Sequence, residues 1–211
     1  MIEILFENSE LVACVKPVGV ASQNDKATDM VKLLEKQMNS NVFPIHRLDT
    51  AVGGTMVFAK TPKAAAELSK IVSEGQLRKR YLAVISGKPD KDSDVLEDLL
   101  FKDSSKNKSF VVKRERKGVR KAKLEYEVLG FCDGMSLLRI LLHTGRSHQI
   151  RVQFSSRKMP LVGDGKYGSR DNRCNVALWS EDISFKWNSD EMTFMSKPDK
   201  TQFPWSLFEN I

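Results

Sequence analysis

The sequence lacks any long hydrophobic run, and cysteine is scarce in it. No apolar stretch approaches the roughly 20 residues that a membrane-spanning helix needs, so no membrane partner is predicted. The N-terminal residues show neither a basic region nor a cleavage signal, so no secretory leader is predicted. The three cysteines, Cys14, Cys132 and Cys174, lie far apart and have no C-x-x-C spacing. This usage argues against a disulfide framework and predicts a reducing, cytoplasmic location.

Several catalytic signatures are also missing. The sequence contains no G-x-x-x-x-G-K-[ST] phosphate loop and no serine in a nucleophile elbow. His143 and His148 are five positions apart and are predicted to lie in different elements, so no metal site is predicted. The chemistry must therefore be sought in other residue types.

Positive charge is present and concentrated. The 211 residues have 41% hydrophobic and 29% charged side chains, which is typical of a globular protein with one full core. Residues 102–123, the basic segment, contain ten Lys or Arg against Asp103 and Glu115, whereas the other residues have 24 basic and 25 acidic side chains. So dense a charge favours a polyanion with many phosphates as the partner. The alternative is a solvated loop that only aids solubility.

The hydrophobic periodicity predicts more strand than helix. Helices are predicted from Asp29 to Met38 with Thr28 as N-cap, from Thr61-Pro62 onward, and from Arg146 to Ser156 with a cap at Thr144 or Ser147. Strands are predicted over 2–6, 11–15, 55–59, 80–86, 110–112, 124–131 and 135–143, with two or three more within 178–205. The strands 124–131 and 135–143 are predicted to be antiparallel and joined by a turn at Cys132-Asp133-Gly134. The expected fold class is α+β, a largely antiparallel mixed sheet flanked by a few helices, in a single domain over 1–211 with 102–123 as a basic insertion or hairpin.

The stretch 43–60, FPIHRLDTAVGGTMVFAK, carries the first candidate reacting group. Asp49 follows Arg47 on a loop that leads, past two glycines, into the apolar strand 55–59. Scaffolds commonly display reacting groups on such loops. Taken alone, the pattern fits an ordinary surface turn equally well.

Two other stretches are chemically suggestive. Tyr81 lies at the start of a predicted strand beside cations, although a half-buried strand tyrosine would explain it as well. In the stretch 143–168, Arg146, His148 and Arg151 crowd a predicted helix start, although a capped surface helix with a basic face fits too.

Together these stretches resemble the RluA-type pseudouridine synthases. The resemblance covers about residues 11 to 170 and rests on four strings in the family's order. They are K-P-x-G-V from Lys16, H-R-L-D from His46, K-x-Y-x-A from Lys79, and T-G-R-x-H-Q-I-R-V from Thr144, the last followed by Gly163-Asp164 and Tyr167-Gly168. The chain departs from the family pattern at Val52, Gly53, Leu124 and Gln153. The catalytic region is expected to start the chain directly, with no separate N-terminal RNA-binding domain.

The resemblance implies a pseudouridine-synthase-like catalytic domain that isomerises a uridine in structured RNA. The C1′–N1 bond breaks, uracil rotates, and C5 bonds to C1′. Asp49 is implied to be essential, and it could stabilise positive charge at C1′, attack that carbon or remove a nearby proton. Arg151 is implied to keep Asp49 ionised, and Tyr81 to stack on the base and carry a proton.

The resemblance also implies how RNA is held. The target uridine must leave its helix to react, and the residues implied for base flipping and RNA contact are Arg47, His46, Ile150, Lys79, Arg146 and His148. The basic segment is expected to clamp the RNA backbone through Lys113, Arg114, Arg116, Lys117, Arg120 and Lys121. The expected substrate is tRNA or large-subunit rRNA, the expected state is a monomer, and no cofactor or metal is expected because the bond rearrangement is internal.

Two other functions remain open at this stage. A non-catalytic RNA-binding protein would use the basic segment and would not need Asp49. A glycosidase or nucleosidase acting on small molecules would need a second carboxylate opposite Asp49, and Asp164 is the one candidate that the motifs supply. The family pattern instead predicts Asp164 to be a turn residue.

Overall fold

The computed structural model describes residues 1–25 and 27–209. The chain divides into two compact units. Unit 1 comprises Met1–Arg80 and Trp179–Pro198, and unit 2 comprises Tyr81–Leu178 and the residues after Pro198. The prediction of a single domain stays a prediction.

Unit 1 is built on a set of short strands with two helices. Its strands are β1 (Ile4–Glu7), β2 (Leu11–Lys16), β3 (Phe43–Pro44), β4 (Gly53–Ala59), most of β10 (Leu178–Trp187) and β11 (Asp190–Met195). The order is β1-β2-β4-β10, with β3 also paired to β4 and β11 to β10. The β4–β10 pair is parallel, whereas the β1–β2, β2–β4, β3–β4 and β10–β11 pairs are antiparallel.

The helices of unit 1 start at capping residues. Helix α1 (Met30–Met38) is capped by Asp29, whose carboxylate accepts from the backbone N–H of Lys32 at 3.0 Å. The predicted cap at Thr28 is therefore wrong by one residue, because the adjacent carboxylate satisfies the helix N-terminus instead. Helix α2 (Pro62–Ser73) starts as predicted, with the Thr61 hydroxyl accepting from a first-turn N–H at 3.1 Å.

The apolar stripe of α2 completes the core of unit 1. Ala64 and Leu68 are buried in one cluster with Leu11 of β2, Val57 of β4 and Phe185 of β10. Full burial of a leucine such as Leu68 stabilises the fold by about 1.5–3 kcal/mol. The loop 45–52, which carries Asp49, thus leads into a strand whose Val57 is packed in this core.

Unit 2 contains a longer antiparallel sheet. Its strands are β5 (Arg78–Ser86, which starts in unit 1), β6 (Ser93–Asp103), β7 (Lys108–Val112), β8 (Val119–Cys132) and β9 (Met135–Leu142), in the order β5-β9-β8-β6-β7. The basic segment runs from the end of β6 through β7 into β8, and β6 pairs with both of the other strands. The predicted arm at 110–112 and the predicted hairpin of β8 and β9 are both present.

Helix α3 (Gln149–Ser156) starts three residues later than predicted. His148, the residue before it, has a left-handed backbone with φ 54° and makes no side-chain cap. Neither Thr144 nor Ser147 is the cap, because the Thr144 hydroxyl instead bonds Gln149 and the backbone N–H of Lys123. A long-range contact with β8 has displaced the local capping interaction.

The α+β prediction is confirmed. Over the residues described, three α-helices accompany a mixed but mostly antiparallel set of strands. None of the helices described is long and apolar enough to span a bilayer.

Candidate active site

The loop that carries Asp49 (residues 45–52, the Asp49 loop) is held by backbone hydrogen bonds, one within the loop and one to the K-P-x-G-V motif. The N–H of Val52 donates to the carbonyl of Asp49 at 2.9 Å. The N–H of Gly19 donates to the carbonyl of Thr50 at 2.8 Å. These bonds fix the backbone on both sides of the carboxylate, while the Asp49 side chain remains partly exposed.

Ser22 fixes the same loop from a second point. Its hydroxyl accepts from the N–H of Leu48 at 2.9 Å and donates to the carbonyl of Leu48 at 2.8 Å. Both Ser22 and Leu48 are buried. One hydroxyl thereby satisfies both backbone polar groups of the residue before Asp49, as buried groups require.

Lys16 supplies a buried positive charge beside the loop. Its ammonium donates to the carbonyls of Pro17, Val20 and Thr50 at 2.9, 2.6 and 3.3 Å, and the residue is fully buried. Burial lowers the Lys16 pKa to about 8, an effect that the negative charge of Asp49 opposes. Lys16 therefore ties the first motif to the Asp49 loop by hydrogen bonds and by charge.

A pH-dependent stability follows from Lys16. Its pKa is about 8 in the folded protein and 10.5 as a free side chain. The unfolded chain binds the extra proton within that window, so the free energy of unfolding contributed by Lys16 rises from pH 8 to 10.5, at up to about 1.4 kcal/mol per pH unit. Urea unfolding of both proteins across this window should show the free energy of unfolding of wild type rising relative to that of Lys16→Met as the pH increases. A constant difference would contradict the buried charge.

His46 lies behind the loop as a neutral ring. Its Nε2 accepts from the backbone N–H of Val57 at 3.0 Å, so its proton is on Nδ1, a buried atom. Burial, with a smaller contribution from the charge of Lys79, lowers the His46 pKa to about 3. Burial also lowers the pKa of Lys79 itself. Arg47, the next residue along the loop, is exposed.

Gly54 allows two backbones to approach where β4 begins. Its φ is +119°, and a Cβ there would lie 2.4 Å from the carbonyl oxygen of Ser180. Gly54→Ala should therefore lower the free energy of unfolding by about 2–4 kcal/mol. Gly75→Ala is the matched control, because Gly75 has φ +73° but open space around it, so only about 1 kcal/mol of backbone strain is expected. Equal losses in urea unfolding would show that the close approach is unimportant.

In unit 2, Arg151 forms a buried ion pair with Asp164. Its Nε and Nη2 donate to the two carboxylate oxygens at 2.7 and 2.8 Å. Arg151 is 6% exposed and Asp164 is fully buried. Asp164 was predicted to be a turn residue; it does precede the short 3₁₀ turn Gly165–Tyr167, but its carboxylate also fixes the guanidinium.

Tyr167 links this pair to the start of α3. The Arg151 guanidinium lies 5.1 Å from the centre of its ring. The Tyr167 hydroxyl accepts from the N–H of Ser109 at 2.8 Å and lies 2.8 Å from Nδ1 of His148. Burial raises the Tyr167 pKa, so the phenol keeps its proton at neutral pH. The network holds His148 and Arg151 in fixed orientations.

The T-G-R-x-H-Q segment is docked on β8. The Gln149 amide donates to the carbonyl of Lys123 at 3.2 Å, and its oxygen accepts from the N–H of Arg146 at 3.1 Å. Nε of Arg146 donates to the carbonyl of Lys121 at 3.0 Å. The exposed Arg146 of this motif is therefore hydrogen-bonded to the basic segment.

The remaining predicted site residues fall into two groups. Tyr81 on β5 and Ile150 on α3 are buried. The six residues predicted to clamp RNA are all exposed: Lys113, Arg114, Arg116, Lys117, Arg120 and Lys121. The pairing of Asp49 with Arg151 stays a prediction, as do the assigned roles of all these residues.

Sequence reasoning missed the contacts of Lys16 and Ser22 with the Asp49 loop in unit 1, and the contact of Asp164 with Arg151 in unit 2. Lys16 had a usable signal, because it follows an otherwise apolar strand and precedes a proline. Ser22 had none, since its partner Leu48 is 26 positions away. Over the residues described, no group of three or more His, Cys, Asp or Glu side chains is arranged to hold a metal ion.

Sequence comparison shows which protein family the chain belongs to. A sequence model described as RNA pseudouridylate synthase matches residues 10–156. The chain belongs to the RNA pseudouridylate synthase family. The RluA-type resemblance is confirmed. The chain is an RNA pseudouridine synthase, an isomerase that converts uridine to pseudouridine.

Individual relatives are similar over most of the chain. An uncharacterized RNA pseudouridine synthase of Zymomonas mobilis is 34% identical, over 79% of this chain and 78% of its own. The ribosomal large subunit pseudouridine synthase D of Nitrosomonas europaea is 32% identical over 79% of this chain and 50% of its own. The tRNA pseudouridine synthase C of Haemophilus ducreyi is 29% identical over 79% and 74%.

A solved structure has the same fold. Human RNA pseudouridylate synthase domain containing 1 superposes with a TM-score of 0.82 at 20% identity, over 97% of this chain and 86% of its own.

Proposed function

We propose that this synthase isomerises one flipped-out uridine in structured RNA, in tRNA or large-subunit rRNA, with Asp49 as the essential group. The observation that carries this proposal is the Asp49 loop, in which a partly exposed carboxylate stands on a backbone pinned by Lys16, Gly19 and Ser22. Preorganisation of this kind suits a group that must meet a reacting atom at a defined place.

The chemistry of the reaction explains why a carboxylate is needed. Breaking the C1′–N1 bond creates positive character at C1′, which a carboxylate can stabilise or attack, and a proton must later leave C5. Lys16 provides a positive charge next to the Asp49 loop. Arg151 and Tyr81 are proposed to complete the site, the first as a cation for Asp49 and the second as a ring for the base.

The structure bears on the glycosidase alternative. That alternative requires a second carboxylate free to act as acid or base, and Asp164 was its candidate. Asp164 is fully buried and bound at both oxygens by Arg151. It therefore suits a positioning role better than proton transfer to a small substrate.

The RNA class is proposed from the named relatives, which act on tRNA or on the large ribosomal subunit. A cytoplasmic location is also proposed, supported by three free cysteines. The decisive experiment maps pseudouridines across total RNA from cells with and without this protein. Sites should disappear from tRNA or large-subunit rRNA on deletion and return when the wild-type gene is restored. An unchanged map would overturn the proposal.

The exposed cations of the basic segment are proposed to bind RNA phosphates. Replacing Lys113, Arg114, Arg116 and Lys117 with Ser should weaken RNA binding. It should also reduce the slope of log affinity against log salt by up to about 3, because each lost phosphate contact removes about 0.7–0.9. Fluorescence anisotropy over a salt series measures both effects.

A matched variant removes the same charge elsewhere. Four exposed lysines of unit 1 can be changed to Ser for this purpose: Lys36, Lys63, Lys70 and Lys186. If this control changes the salt slope as much as the basic-segment variant does, net charge alone drives the binding and the clamp is wrong.

A further inference from the structure

The three-stranded sheet β6-β7-β8 has two different faces. Leu100 and Ala122 lie on one face, in a buried cluster with Val152 of α3 and with Tyr167. Successive side chains of a strand point to opposite faces. The side chains that alternate with Leu100 and Ala122 along the strands, such as Phe101 and Lys121, therefore lie on a second face. We call it the outer face, and it is turned away from α3.

The strand register places aromatic and basic side chains in rows on the outer face. Phe101 pairs with Phe110 of β7 and with Val119 of β8. One row further on, Leu99 pairs with Val112 and Lys121. Phe110 is 37% exposed. The basic segment thus displays a phenylalanine to solvent instead of hiding it.

Cations lie against both rings of this face. The Arg116 guanidinium carbon is 4.8 Å from the centre of the Phe101 ring. The Lys108 ammonium is 5.9 Å from the centre of the Phe110 ring and 5.1 Å from that of Tyr167, so it lies near both the exposed ring and the buried cluster. Aromatic rings and arginine planes next to positive charge are the features on which unpaired bases stack while their phosphates are neutralised. A purely electrostatic clamp would need no rings.

A pocket of about 360 Å³ adjoins these rows. It is lined by residues of both faces at this end of the strands: Glu97, Asp98 and Leu99 of β6, Lys121, Ala122 and Lys123 of β8, and Thr144. Asp98 is partly exposed and pairs with Arg157 at 2.9 Å. This volume lies within the range of small-ligand pockets. The one exposed acid at its wall, Glu97, is 3.0 Å from the Lys123 ammonium, so its charge is compensated.

We propose that the outer face is a stacking site for an unpaired segment of the substrate RNA, with one base on Phe110 and the neighbouring nucleotide toward the Leu99–Lys121 pocket. The inference rests on the proposed function, because it takes RNA as the substrate. The basic segment has ten basic and two acidic side chains, so its charge complements the dense phosphates of a nucleic acid. A protein partner with few acidic residues would not complement it. The enzyme would then select uridines that lie next to single-stranded nucleotides.

The test compares Phe110→Ala with Phe131→Ala. Phe131 is a matched control, because it is an exposed phenylalanine of unit 2 with the Lys88 ammonium 5.9 Å from its ring centre, and it lies outside the basic segment. Fluorescence anisotropy with labelled oligouridylate should show at least about fivefold weaker binding for Phe110→Ala, which is the low end of a base-stacking contribution. Binding of a labelled GC-rich RNA duplex and the salt slope should stay at their wild-type values. Phe110→Trp, which retains a ring, should restore binding.

Each other outcome overturns a defined claim. A loss for Phe110→Ala no larger than that for Phe131→Ala, or an equal loss for the duplex, would overturn the stacking site. Thermal unfolding of both variants shows whether a loss comes from the fold, and the Trp variant keeps the test valid if Ala destabilises β7. If wild-type protein isomerises total RNA from the deletion strain while Phe110→Ala changes nothing, the proposed function stands and only this inference fails. If wild-type protein neither binds nor isomerises RNA, both fail.

Discussion

Asp49→Asn should abolish pseudouridine formation and leave RNA binding intact. The amide keeps the size of the side chain but can neither carry negative charge at C1′ nor accept a proton efficiently. The rate should fall by at least about 10²–10⁴-fold, the range assigned to one positioned acid–base group, and by more if Asp49 attacks C1′. Because the loop is held through backbone bonds to Asp49, Thr50 and Leu48, the fold should not change.

The measurement is single-turnover conversion of total RNA from the deletion strain, with anisotropy for binding. Asp190→Asn serves as the control, since Asp190 is an exposed carboxylate of unit 1 in the edge strand β11. It should convert RNA at the wild-type rate. Conversion by Asp49→Asn within a few-fold of wild type would show that the carboxylate is not the reacting group, and the proposed mechanism would be wrong.

Asp164→Asn should have the largest effect on stability. It leaves the Arg151 guanidinium buried without its charged partner, and breaking a buried pair from one side costs about 3–5 kcal/mol. Asp171→Asn is a matched control, because Asp171 also binds an arginine, Arg173, through both oxygens, but on the surface. That substitution should cost no more than about 1 kcal/mol. Urea unfolding measures both, and equal costs would contradict the argument from burial.

A double variant separates stability from activity. Arg151→Met combined with Asp164→Leu removes both buried charges and fills the space with apolar atoms, so much of the lost stability should return. Activity should not return if Arg151 is the cation that serves Asp49. An active double variant would show that Arg151 has a structural role alone.

Local signals in the sequence were enough for most of the fold. Thr61-Pro62 predicted the start of α2 because a hydroxyl cap and a proline act within one turn of the chain. The apolar run 55–59 predicted β4, and the turn near Gly134 predicted the β8–β9 hairpin, for similarly local reasons. The motif strings carried the family and the reaction, which the sequence comparison confirmed.

Apart from the cap predicted at Thr28, which is replaced by its neighbour Asp29, predictions failed where a distant partner competed with the local one. The start of α3 was misplaced because Thr144 bonds a strand 21 residues away instead of capping the helix. Asp164 was predicted to be a turn residue and nothing more, because no neighbouring residue indicates that its carboxylate binds Arg151, 13 positions earlier on α3.

The sequence by itself determined the reaction class, through its motif strings, and the concentrated positive charge, because residue types and short spacings encode these. It also predicted Asp49 as the reacting carboxylate, a role that stays a prediction. Only the tertiary structure decided that Lys16 is desolvated against Thr50, 34 residues away, and that Phe101 and Phe110 share the outer face with Arg116. Burial and strand register are properties of packed elements. They depend on which distant segments exclude water from a side chain, and no local pattern records that.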